Sequence, residues 1–154
     1  MSDTEIAGVR PSLDHEAAET RAAALVHLIE AFRGGDLATL QRSMAPDVEL
    51  VAEGKHPYAG VYRGYASALA FVARTAHWID LSSLRVEGVE AEPEFTVSLT
   101  ATVRPAQDKT MRAGLKAAFH FDANDRISKA IFWADDQEAL DEFLTRYAAS
   151  ATIS

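Results

Sequence analysis

The chain has 154 residues, 48% of them hydrophobic, no cysteine and a formal net charge of −8. That length makes one ordinary domain with a real core, and the lack of cysteine excludes disulfides and thiolate metal sites. The acidic balance argues against nucleic acid or an anionic membrane as the main partner.

Residues 1–13 contain Gly8 and Pro11 and few large apolar side chains, and are expected to form a flexible N-terminal arm. A single domain is expected over residues 14–150. No apolar run reaches membrane-span length and the start, Met1 to Glu5, is acidic rather than signal-like, so a cytoplasmic setting is expected. His15 to Phe32 lacks Pro and Gly and predicts a helix with its stripe through Ala18, Ala22, Leu25, Ile29 and Phe32. Gly34 and Gly35 stop it, and Asp36 is placed to cap a shorter helix carrying Leu37, Leu40 and Met44.

Asp47 to Glu53 alternates, with Val48, Leu50 and Ala52 on one face and Glu49, Val51 and Glu53 on the other. A Gly/Pro-rich crossing leads to a short strand ending in Tyr62, and Gly64 to His77 predicts a third helix. Strands are predicted at Leu81 to Glu90, Glu94 to Arg104, Met111 to Asp122 and Arg126 to Asp135, joined as a meander. Asp135 or Asp136 is placed to cap a last helix through Leu140, Phe143, Leu144 and Tyr147. This order predicts an α+β fold: a cone-shaped, curved antiparallel sheet wrapped around three helices, with a C-terminal helix.

Several landmarks carry a family resemblance. They are Gly35-Asp36, Pro46-Asp47-Val48, the run Gly54 to Gly60 followed by Tyr62-Arg63-Gly64, and Asp125-Arg126-Ile127 through Asp135. Over roughly Ala17 to Tyr147 the chain resembles the nuclear-transport-factor-2-like superfamily, specifically its SnoaL-like polyketide cyclase and ketosteroid-isomerase-like branch. Members include isomerases, cyclases, epoxide hydrolases, dehydratases and non-catalytic binders, so the fold alone implies no single activity. The resemblance places the isomerase base at Ala52, its oxyanion Tyr at Leu28 and its protonated Asp at Ala117. The Asp of the cyclases and epoxide hydrolases falls at Phe132. None of these side chains can exchange a proton.

If the apolar strand faces line a cavity, its substrate-binding wall includes Leu28, Leu50, Ala52, Leu99, Ala117, Phe119 and Phe132, with Tyr62 and Trp78 at its edge. The small residues among them leave room for a bulky apolar ligand; the alternative is solid core. Polar groups then come from loops. Tyr58 or His56 in the crossing could polarise a carbonyl or carry a proton. The competing reading is exposed loop, favoured for His56 and level for Tyr58. His77 and Asp80 read as helix-end and solvated groups, His27 as a surface residue and His120 as part of the outer sheet face. No His spacing suggests a metal, and no motif suggests a cofactor.

The outer sheet face mixes Thr96, Ser98, Thr100 and Thr102 with Arg and Lys, beside Ile131 and Trp133, and suggests a homodimer interface. The expected function is a cofactor-independent cyclase or isomerase acting on a hydrophobic polyketide- or terpenoid-like molecule. Pocket shape would govern the reaction, a [4+2]-type closure being the one that best suits it. The alternatives are a non-catalytic binder of an apolar metabolite and a dimeric protein-interaction module.

Overall fold

The structure, a computed structural model, describes the backbone of residues 2–92 and 94–153 and the side chains of 16–92 and 94–148. Four helices, α1 (Ser2–Gly34), α2 (Leu37–Ser43), α3 (Gly64–Thr75) and α4 (Gln137–Ile153), accompany six strands. The strands are β1 (Met44–Ala52), β2 (Gly60–Arg63), β3 (Ile79–Glu90), β4 (Phe95–Ala106), β5 (Lys109–Phe121) and β6 (Ile127–Ala134). They form one sheet in the order β2-β1-β6-β5-β4-β3, which gives the expected α+β architecture. α1 starts earlier than the helix read from His15, and the arm expected over residues 1–13 falls among residues whose side chains lie outside those described.

In one respect the sheet departs from expectation: it is mixed, because β1 runs parallel to β6. The strands of the meander are joined by short turns and must be antiparallel. β1 and β6 are separated by about half of the chain, so nothing local imposes a direction on that pair. Pro46 is accommodated in β1 because β2 pairs only with Glu49–Ala52, and the ladder to β6 shifts register between Met44 and Glu49. The second helix accordingly ends earlier than expected, and Met44 belongs to β1.

The predicted alternation sets the core. Val48, Val97, Ala101, Val103 and Ala117 are fully buried, as are Leu25 of α1 and Leu144 of α4. Each such Val or Leu contributes roughly 1.5–3 kcal/mol by leaving water. Gly35, at φ 74°, ends α1, with its N–H bonded to Phe32 O and the Asp36 N–H to Ala31 O. Asp36 then caps α2, accepting from Thr39 N at 3.2 Å, and Asp136 caps α4, accepting from Ala139 N at 3.1 Å. These two caps fix where the helices meet the inner face of the sheet.

Candidate functional site

The helices do not fill the inner face completely. A cavity of about 100 Å³ lies between them and the sheet. Leu28, Ile29 and Phe32 of α1 and Phe71, Val72 and Thr75 of α3 form one side; Leu50, Ala52, Leu99, Phe119 and Phe132 form the other. Its volume is below the roughly 300–1,000 Å³ of ordinary ligand pockets, so it holds a single ring or a short chain rather than the bulky ligand expected. Only two buried side chains among the described residues are polar, His56 and Thr75, and both line this cavity.

The crossing between β1 and β2 folds down over the cavity. Trp78, 6% exposed, is its floor. The Tyr58 ring stacks on Trp78 at 5.5 Å and 18°, and the His56 ring leans on it at 5.7 Å and 51°. The Arg74 guanidinium lies 5.5 Å from the centre of the Tyr58 ring. Tyr62 Oη donates to Tyr58 O at 2.9 Å, and the Tyr62 ring packs on Phe71 at 4.9 Å. An aromatic cluster held from α3 and β2 thus pins the segment that carries His56.

The start of α4 closes the other side. Gln137 accepts from Ala134 N at 2.8 Å and donates to Asp141 Oδ1 at 2.9 Å and Glu53 O at 3.3 Å. Gly54 lets this cluster approach the crossing. Its φ is 116°, and an added Cβ would collide with Asp141 Oδ1 and the Gln137 amide and press on the His56 ring.

His56 Nδ1 accepts from Tyr58 N at 3.1 Å. Its neutral form therefore carries the proton on Nε2. Burial pushes its pKa below the ordinary histidine value, opposed by the Asp141 charge and the Glu53 carbonyl. At neutral pH it is an uncharged donor through Nε2–H. A base at Nε2 would need the proton on Nδ1, where the Tyr58 N–H already points. The Tyr58 hydroxyl is pushed above its usual value by burial, with Arg74 opposing, so it too stays protonated. Thr75 gives its hydroxyl proton to Phe71 O at 2.8 Å, leaving its lone pairs toward acceptor duty. The arrangement can hydrogen-bond an oxygen of an apolar ligand, and it holds no carboxylate in its depth.

Most of the expected wall residues meet here. Leu28, Leu50, Ala52, Trp78, Leu99, Phe119, Phe132 and His56 line the cavity. Ala117 is fully buried behind that wall, while Tyr58 and Tyr62 brace it rather than line it. The preferred exposed-loop reading of His56 is corrected: it is 7% exposed, because the crossing closes inward around Gly54 instead of looping out. His27, His77 and His120 are exposed, with His120 2.9 Å from Glu94, and Asp80 pairs with Arg104 and binds Ser82. Sequence reasoning missed Gln137, Asp141 and Thr75. A signal existed for the first two: they sit at i and i+4 just after the Asp136 cap, on one helical face. Among the described residues no group of three or more His, Asp or Glu is placed to hold a metal ion.

No protein-family model matches the chain. Uncharacterized proteins of Mycobacterium bovis and Mycobacterium tuberculosis are 50% identical to it over 46 residues, 30% of this chain. That stretch spans only 35% of those relatives' length. Solved structures match far more of it. Bal32a, from a soil-derived mobile gene cassette, superimposes with TM-score 0.71 at 22% identity, covering 82% of this chain and 98% of that one. A nuclear-transport-factor-2-like protein of Burkholderia xenovorans gives TM-score 0.65 at 20% identity, covering 87% and 96%. A candidate SnoaL-like polyketide cyclase of Jannaschia gives TM-score 0.65 at 17% identity, covering 82% and 92%. The fold is nuclear-transport-factor-2-like. Identities this low speak for the fold and not for an activity. No helix among the described residues is long and apolar enough to cross a membrane.

Proposed function

We propose that this protein is a cofactor-independent cyclase or isomerase acting on a hydrophobic polyketide- or terpenoid-like small molecule, and that its reaction is a [4+2]-type ring closure. The observation that carries this reading is the pairing of an apolar cavity with one buried, neutral histidine on its wall. In such a closure two carbon–carbon bonds form as π bonds are consumed, and no atom or proton leaves. The carboxylate on its lining, Glu53, is exposed to solvent, and such a cavity suits that reaction, which needs orientation more than acid–base exchange. His56 donates from Nε2 to the carbonyl of an enone, drawing electron density from the acceptor alkene and lowering the barrier. A ring-sized portion of the substrate occupies the cavity. The likeness to a candidate polyketide cyclase agrees with this class.

The test uses an acyclic trienone in which a diene is tethered to an enone through three methylenes. Closure should saturate with protein, and His56→Ala should slow it roughly ten- to a hundredfold. Saturable binding with no acceleration refutes the enzyme and leaves the second reading, a non-catalytic binder of a small apolar metabolite, which the volume of about 100 Å³ favours. Absence of binding removes both.

A further inference from the structure

Trp78 carries a feature that the reading above does not use. Its indole Nε1 is buried and has no hydrogen-bond partner, although Trp78 lines the cavity. An indole nitrogen can only donate, and a buried donor left unpaired is costly enough that native proteins seldom keep one without a use. The ring has not been left there for want of a smaller wall. Tyr58 stacks on one side at 5.5 Å and His56 leans on it at 5.7 Å, so its orientation is fixed by packing.

A buried water needs two to four polar contacts; beside Trp78 the depth of the cavity offers it the Thr75 oxygen and the His56 Nε2–H, so a ligand carbonyl must compete with water for the indole. A carboxylate is a poor partner. Lys116 is the lysine on the wall, and its Nζ is held 2.7 Å from Asp135 Oδ1. An anion in the cavity would be an uncompensated buried charge.

Resting on the proposed apolar-ligand pocket, we infer that Trp78 Nε1–H is a specificity-determining donor that selects a neutral ligand with a carbonyl oxygen. The apolar wall binds the hydrocarbon frame and Trp78 fixes the position of one oxygen. Hydrocarbons of the same shape bind less well because they leave the indole N–H unpaired.

Two probes separate the donor from the wall: cyclohexanone and methylenecyclohexane, which share a shape and differ in C=O against C=CH₂. The chain has two tryptophans, so Trp78→Phe and Trp133→Phe assign the two indole N–H signals by NMR. The ketone should move the Trp78 signal downfield and bind about five- to tenfold more tightly than the alkene. Trp78→Phe, which keeps an aromatic ring on Tyr58, should erase that preference and leave alkene binding intact. Equal binding of both probes with an unmoved Trp78 signal overturns the donor role while the pocket stands. If neither probe binds, the pocket reading falls, and the inference with it.

Discussion

Replacing Gly54 with alanine tests whether the crossing and α4 form one site. At φ 116° a residue with a Cβ is strained by about 1–3 kcal/mol. The new methyl would also overlap Asp141 Oδ1, approach Gln137 Nε2 to 2.5 Å and touch His56 Cδ2 at 3.0 Å. Gln137 must then give up its bonds to Asp141 and Glu53 O, each worth about 1 kcal/mol. The sum is about 3–5 kcal/mol, which in a domain of this size lowers Tm by about 10 °C. Circular-dichroism melts measure it. Gly34→Ala is the control, because nothing lies within 4 Å of its Cβ and it ends a helix; there the melt should hold or rise. A Gly54→Ala Tm within about 2 °C of the parent, with His56 titrating as before, would refute the claim that these three side chains crowd one point.

The remaining predictions concern pH, packing and assembly. His56 has a lowered pKa in the fold, so the unfolded chain binds more protons and stability rises with pH. That contribution is full above the ordinary value of about 6.5 and is lost as pH falls toward the lowered one. Urea titrations from pH 7 to about pH 5 should show the slope, and His56→Gln should flatten it; an unchanged slope assigns it elsewhere. Leu144, fully buried, should cost about 3 kcal/mol as Leu144→Ala, read from urea midpoints at constant m. A loss below about 1 kcal/mol would mean α4 packs more loosely than its burial implies.

The outer sheet face carries a row in register across three strands, Val61, Val51 and Ile131, with Val61 54% exposed. We expect a second copy of the chain to cover it. Sedimentation at micromolar concentration should give a dimer, and Ile131→Glu a monomer. A monomeric parent removes the idea.

Much of this was written locally. Period-two alternation set which face of β1, β4, β5 and β6 turned inward, because a one-residue slip would bury Glu49, which instead meets Arg63 and Lys129 outside. Gly35 and Asp36 marked the break between α1 and α2 for reasons of backbone geometry alone. The same alternation kept carboxylates off the inward strand positions, since it leaves Ala52, Ala117 and Phe132 where acids would have to stand. The candidate site was legible only in part, as a wall without its polar members.

What the tertiary structure decided were relations between distant segments. The parallel pairing of β1 with β6, the burial of His56 in a segment that reads as loop, and the meeting of Gly54 with Gln137 and Asp141 all depend on parts of the chain about 80 residues apart. Local propensity has no range over such distances. The unpaired indole of Trp78 belongs to the same class, for a donor is unsatisfied only by virtue of everything that packs around it.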